Sequence, residues 1–380
     1  MFSDTANDSV HAPVSGTATG AGPSGTTSGA IGENEVAPMS ESTSPDAARV
    51  TIEDVAARAG VSIATVSRAV NGRYGVSVRT TERVRRVIEE LGYESSIVAR
   101  SLRSQRTNVI GVLVSGIEPF SAELLKGVGR SLDGTDFDLV VYSGGMRHQE
   151  GWERRYLSQL NGTLVDGIIL VTPTVVEVKA THPVVAVDPH VGGSFLPTVH
   201  AENFEGARAA TQHLIDLGHR RIGFLAGRPD LVSARRREAG YRQALETAGI
   251  PFDPSLVQIG GFTEELAVEP ARTLLSLDDR PTAIFASNDL SASQVLRTAA
   301  EFGLSVPDDL SVVGFDNIPE SALTDPPLTT VDQSIQEIGS HAVRLLIELI
   351  ERGSQQGEVP AHVTMPTRLV VRRSTREVTS

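Results

Sequence analysis

Two groups of residues in this 380-residue chain have types and spacing that can do chemistry. The first lies in residues 50–71, VTIEDVAARAGVSIATVSRAVN, and its chemistry is contact with nucleic acid. Thr51 is placed to cap a helix, and Asp54, three residues on, to return the bond. Val55, Ala56 and Ala59 give that helix an apolar face. Gly60 supplies a tight turn, where left-handed backbone costs little. Ser62 caps a second helix whose Val66 and Val70 point inward. Ile63, Ala64, Thr65, Ser67 and Arg68 are left outside, and small residues there let a helix sit deep in a major groove. Taken alone, the segment also fits a helical hairpin at the edge of a larger core. The second group is Asp188, Asn288, Asp289 and Asp316, which fall where apolar runs end. Ligands of open parallel sheets bind beyond such strand ends, although Asp289 fits better as the cap of the helix that follows.

The elements that must hold these groups follow from the hydrophobic pattern. VIGVLV (109–114), LVVYS (139–143), GIILVT (167–172), VVAVD (184–188), RIGFLAG (221–227), VQIGG (257–261), TAIFASND (282–289) and LSVVGFD (310–316) alternate with amphipathic helices. Apolar strands alternating with helices indicate parallel sheets covered on both faces. Eight are too many for one compact sheet, which predicts two α/β lobes with a ligand cleft between them. Nearer the start, Ser77 caps a third helix with Val84, Val87, Ile88 and Leu91 on its buried face, and Gly92 ends it. The expected organisation is a disordered tail at 1–48, a helical DNA-binding domain at 49–93, a hinge helix or linker at 94–107, a two-lobed body at 108–375 and a short tail at 376–380.

Charge separates these parts. The net charge is −13, yet residues 49–106 hold eleven arginines against six carboxylates, so the remainder carries −18. A basic head on an acidic body is what a protein needs when one small region meets phosphate. Arginine can grip phosphate or guanine with two parallel bonds. The absence of cysteine excludes disulfides, thiol catalysis and zinc fingers and fits a reducing cytoplasm. No uncharged apolar run reaches 18 residues, and the first 20 lack the basic start and apolar core of a secretion signal. The nine histidines form no His-Glu-x-x-His pair, and neither a Gly-x-Ser-x-Gly elbow nor a phosphate loop occurs. An enzyme is therefore not expected, and the strand-end carboxylates are the only candidates for acid–base work.

The motifs TIEDVAARAGVSIATVSRAVN, VSVRTTERV, LGHRRIGFLAG, AIFASNDLSA, VPDDLSVVGFDNIPES, PPLTTV and LVVRRST occur in one order across residues 50–375. In this the chain resembles the lactose/galactose repressor (LacI/GalR) family of bacterial transcription regulators. The resemblance implies an all-α helix–turn–helix head, a hinge helix, and an α/β core of two Rossmann-like lobes of periplasmic-binding-protein type I. It places Ile63 and Ala64 at the variable positions that help choose the operator, and Thr65, Ser67 and Arg68 at positions that contact bases and phosphates. Thr51, Ser62 and Asn71 complete that DNA-facing set. Leu102 matches the hinge leucine that pries open a base step in the minor groove. The chain departs from the family pattern at Tyr93-Glu94-Ser95-Ser96, where relatives often read Tyr-x-Pro-Asn.

In the core, the resemblance assigns ligand contact to Arg237, Asn288 and Asp316, stacking on a sugar face to Phe262, and further contacts to Asp188 and Phe120. Ser121 stands where many relatives carry a second aromatic. This chemistry suits a polyol, because a carboxylate accepts from adjacent hydroxyls and arginine donates to hydroxyl or ring oxygens. No cofactor is implied. The expected partners are a double-stranded DNA operator, a carbohydrate effector and a second copy of the chain, with no membrane. No leucine heptad follows LVVRRST, so a homodimer is expected rather than a coiled-coil tetramer. The implied function is a cytoplasmic repressor of a carbohydrate uptake or utilisation operon, released by its effector. A catabolite-control-type global regulator with a protein or corepressor effector is the alternative.

Overall fold

Helix α1 (Ile52–Ala59) starts at a reciprocal cap: the Thr51 hydroxyl accepts from the Asp54 N–H, and the Asp54 carboxylate accepts from the Thr51 N–H at 2.8 Å. Gly60 closes the helix at φ 62°, in the left-handed region. Helix α2 (Ile63–Val70) is capped by the Ser62 hydroxyl, which accepts from the Thr65 N–H at 3.2 Å, and Ser77 caps α3 (Val78–Leu91) in the same way. Val55, Ala56, Ala59, Val66, Ala69, Val84 and Val87 form one small core among the three helices. The computed structural model describes residues 50–70, 75–91, 106–144, 152–160, 165–174, 182–190, 196–352 and 362–378. The expected tail at 1–48, Asn71, Gly92 and most of the 94–107 hinge, including Leu102, lie outside them. The chain divides into two compact units, Met1–Tyr93 and Glu94–Ser380.

In the larger unit, β1 (Val109–Val114), α4 (Pro119–Leu132), β2 (Asp138–Ser143), α5 (Trp152–Leu160), β3 (Gly167–Val171), β4 (Val184–Val187) and β5 (Thr198–Ala201) build a first lobe. The chain then crosses to a second lobe made of α6 (Asn203–Asp216), β6 (Ile222–Ala226), α7 (Val232–Thr247), β7 (Val257–Ile259), α8 (Glu264–Leu275), β8 (Ala283–Ala286), α9 (Asp289–Glu301) and β9 (Ser311–Val313). Strand β10 (Thr330–Asp332) leads back; α10 (Ile335–Arg352) and β11 (His362–Met365) rejoin the first lobe. Strand β12 (Arg368–Val370) leaves it once more and pairs antiparallel with β10.

The first sheet runs β11-β5-β4-β3-β1-β2 and the second β7-β6-β8-β9, with every neighbouring pair parallel. Continuous apolar strands such as VIGVLV are buried along their length because helices cover both faces. Helices α4 and α10 seal one face of the first sheet, and their backbones meet where Gly127 faces the Gln336 carbonyl, leaving no room for a Cβ. Helices α6 and α7 cover one face of the second sheet, α8 and α9 the other. No helix among the described residues is long and apolar enough to cross a membrane.

Each of the eight apolar runs contains a strand, but β5, β10, β11 and β12 were not expected from sequence. They are three or four residues long and carry polar residues such as His200, Asp332 and Thr364. The short tail expected from residue 376 is also revised. The Arg376 N–H donates to the Ser311 hydroxyl, and the Val378 N–H to the Leu217 carbonyl, so the end of the described chain is fastened to the second lobe. At the other end, the Asp166 carboxylate accepts from the Thr107 N–H at 2.6 Å, the Thr107 hydroxyl at 2.9 Å and the Asn108 N–H at 2.9 Å, fixing the start of β1.

Candidate functional site

A cavity of about 380 Å³ opens between the two lobes. Phe120, Asp188, Arg237, Phe262, Asn288 and Asp316 all line it, so the six core positions singled out from sequence converge on one place. Phe120 comes from the first turn of α4 and Asp188 from the end of β4. Arg237 comes from α7, Phe262 from the segment before α8, Asn288 from the end of β8, and Asp316 from just past β9. In both sheets the second strand lies outside the first and the third on its other side, so the order in which strands are laid down reverses there and a crevice forms at the carboxyl ends.

Arg237 is the anchor of the second lobe and only 4% exposed. Its Nε donates to Asn203 Oδ1 at 2.8 Å, and Nη1 to the Ser287 carbonyl and to Asp316 Oδ1 at 3.2 Å. Its guanidinium lies 3.7 Å from the centre of the Phe315 ring. Asp316 Oδ1 also accepts from Gln333 Nε2 at 2.6 Å, a partner that sequence reading did not find. The tip of the Phe262 ring lies against Gly227, where any Cβ would collide with it. Asn288 caps α9 by accepting from the Ser291 N–H at 3.0 Å and donates to the Phe262 carbonyl at 3.1 Å. It shapes the wall that carries Phe262 as well as lining the cavity.

The cap expected at Asp289 is therefore corrected. Asn288 is the cap, and Asp289, the first residue of the helix, turns inward. Its carboxylate accepts from the Thr330 hydroxyl and the Ile318 N–H, tying α9 to the segments that lead back toward the first lobe. Adjacent Asn and Asp both satisfy the capping pattern, and tertiary contacts decide between them.

Burial dominates the electrostatics. It pushes the Asp188 carboxyl up to about 6, with Arg237 and Arg236 opposing. It pushes Asp316 up to about 7, against the pull of Arg237 and with the help of Asp188. Asp289 is driven well above the carboxylate range by burial and by Asp316. Asp188 and Asp316 also sit at φ 44° and 113°, backbone that a non-glycine residue adopts at a cost. Both are strand-end carboxylates held in strained backbone and aimed at a cavity, an arrangement that marks ligand sites. Two other lining residues, His190 and Arg228, were not found from sequence. Their positions, two residues past Asp188 and two past Ala226 at the end of β6, were the available clue.

In the head, Ile63, Ala64 and Arg68 are exposed, while Thr65 and Ser67 are partly covered. Thr65 shares a hydroxyl contact of 2.9 Å with Ser62, so both take part in the start of α2. Val66 and Ala69 face the head's core. Thr51 is exposed at its cap.

A helix–turn–helix head with a polar outer face, joined to a two-lobed body around an apolar cleft that carries a few charged groups, defines a DNA-binding regulator with an effector domain. Residues 51–96 match the family described as bacterial regulatory proteins, lacI family, and residues 211–375 a periplasmic binding protein-like domain. The chain is 35% identical over 335 residues to catabolite control protein A of Priestia megaterium, covering 86% of this chain and 99% of that one. Among solved structures it is similar to the transcriptional regulator CelR–cellobiose complex, with 35% identity, a TM-score of 0.64 and coverage of 86% and 100%. It is also similar to the Lac repressor dimer bound to operator and the anti-inducer ONPF, with 29% identity, a TM-score of 0.76 and coverage of 86% and 99%. The chain belongs to the lacI family of bacterial transcription regulators.

Proposed function

We propose that this protein is a homodimeric, cytoplasmic repressor of a carbohydrate uptake or utilisation operon, released from its operator by a sugar. The observation that carries this reading is the convergence of Phe120, Asp188, Arg237, Phe262, Asn288 and Asp316 on one cleft. There a ring that is polar at its rim and apolar on its face meets carboxylates, a guanidinium and an aromatic. The similarity to a cellobiose-bound regulator supports the same ligand class. Two heads read two half-sites of a near-palindrome, with Ile63, Ala64, Thr65, Ser67 and Arg68 toward the DNA, Thr51, Ser62 and Asn71 at the flanks, and Leu102 in the minor groove. The sugar changes the angle between the lobes and loosens the grip on DNA. It must bind the DNA-incompetent state more tightly, and a coupling of about 1–3 kcal/mol gives a roughly 5–150-fold change in operator affinity.

The test is a footprint upstream of the protein's own gene, followed by gel shifts with a panel of sugars. Arg68→Ala is expected to lose operator binding and keep sugar binding; Asp316→Ala is expected to do the reverse. If Asp316→Ala responds to the sugar at the wild-type concentration, the cleft is not the effector site. The similarity to catabolite control protein A favours a second reading, a global regulator with a protein effector. A thermal-shift screen separates the two, because that reading requires no stabilisation by any free sugar.

A further inference from the structure

We infer that the cleft holds a second, outer effector subsite, formed by His190 and Arg228, that takes the hydroxyls of a further sugar ring joined to the one held by Arg237 and Asp316. The inference rests on the proposal that the effector is a carbohydrate, and it narrows that class from single rings to disaccharides.

Both residues line the cavity but belong to opposite lobes: His190 follows β4 and Arg228 follows β6. Arg228 is nearer the mouth, whereas the His190 side chain, 9% exposed, lies deeper on the facing wall. The Arg237 and Asp316 side chains are 4% and 8% exposed, whereas Arg228 is 30% exposed and its partner Asp230 52%. The cavity thus runs from a buried charged floor to a polar rim, with Phe262 and Leu231 among the apolar groups of its wall. Its volume is larger than one pyranose ring fills.

The rim is built rather than incidental. Arg228 forks onto Asp230, Nε to Oδ1 at 3.2 Å and Nη2 to Oδ2 at 2.6 Å. Arg235 Nη1 donates to the Pro229 and Asp230 carbonyls at 2.9 and 3.0 Å, which fixes the turn that carries them. Across the gap, the backbone N–H of His190 donates to the Pro173 carbonyl at 2.9 Å, which fixes the backbone that carries the ring. The imidazole is buried, yet no described residue hydrogen-bonds either ring nitrogen; Asp230 Oδ2 stands 3.7 Å from Nδ1, too far for a hydrogen bond. The ring nitrogens are thus left to the cavity, where a ligand can meet them. Burial, then Arg228, hold this histidine down to about 4, so at neutral pH one ring nitrogen donates and the other accepts. A hydroxyl, which also does both, matches it. Because the two walls of the subsite come from different lobes, a ligand that fills it touches both at once.

The experiment is calorimetric titration of the full-length protein with D-glucose, D-galactose, D-ribose, cellobiose, maltose and lactose, repeated on Arg228→Gln, His190→Ala and His190→Gln. The wild type is expected to bind one disaccharide at least tenfold more tightly than its component monosaccharide. Arg228→Gln and His190→Ala are expected to lower disaccharide affinity tenfold or more and monosaccharide affinity less than twofold, with His190→Gln recovering part of the loss. Equal losses for both ligand sizes would show a structural role only and overturn the subsite. Equal wild-type affinity for monosaccharide and disaccharide would also overturn it while leaving the carbohydrate reading intact. Binding of no sugar by the wild type would remove both. Arg228 is partly exposed, so its substitution keeps the test available if His190→Ala fails to fold.

Discussion

The two lobes repeat one strand order, β2-β1-β3-β4 and β7-β6-β8-β9, yet they meet the cleft in different ways. The second lobe presents groups already fixed by the protein. Arg237 has three hydrogen bonds, Asp316 accepts two, and Asn288 is tied at both ends of its amide. The first lobe presents Phe120 and His190, rings without a hydrogen bond to the described residues, and Asp188, which shares left-handed backbone with Asp316. Groups held in advance cost little to order when a ligand arrives. The second lobe is therefore a template whose ligand-facing groups are held in advance by hydrogen bonds, and the first lobe supplies the facing wall.

That contrast is most severely tested at Arg237. Arg237→Met leaves the buried Asp316 without its cation, and unfolding in urea is expected to show a loss of about 3 kcal/mol, with effector affinity beyond calorimetric detection. Phe120→Ala, on the first lobe, should weaken the effector about tenfold and cost well under half as much stability. Equal stability losses in the two variants would end the distinction between template and wall.

A smaller effect concerns protons. Asp188 and Asp316 are held near 6 and 7, above the unfolded value of 3.8, chiefly by burial. The effector-free fold therefore keeps protons that the unfolded chain gives up. Their contribution to stability is full below 3.8 and is lost as pH rises through 6 and 7. Hydroxyl donors favour the charged carboxylate, so effector binding should release protons and tighten as pH rises across the same interval. Titrations in two buffers of different ionisation enthalpy, with Asp188→Asn as control, will measure the release; heats independent of buffer would refute it. The smallest expected effect is that of Gly227→Ala, which displaces the Phe262 ring. A few-fold loss of effector affinity and about 1 kcal/mol of stability are expected, measured by the same titration and by urea unfolding.

Legibility in the sequence followed the range of the interactions. The Thr51–Asp54 box, the Gly60 turn and the Ser62 cap are made within four residues, so spacing alone reveals them. The eight apolar runs were visible because burial on both faces leaves an uninterrupted apolar string. Arg237 and Asp316 lie 79 residues apart, and only resemblance to a family joined them before the fold was known. Gln333 was missed because its role is a single contact with Asp316, made by a residue between two elements. His190 and Arg228 acquire a common task only when two lobes face each other, which no local pattern encodes.

The bonds that moor Thr107 and Asn108 come from Asp166, and the Asn108 carbonyl accepts from the Asp138 N–H; both partners belong to the first lobe. Arg106 reaches the carbonyl of Ile350, on the same lobe's α10. The described start of the larger unit is thus moored to the first lobe and not to the second. On the proposed mechanism, a metabolite seated on the template reaches that mooring through the first lobe, much as a rudder is turned through a tiller rather than by the hand itself.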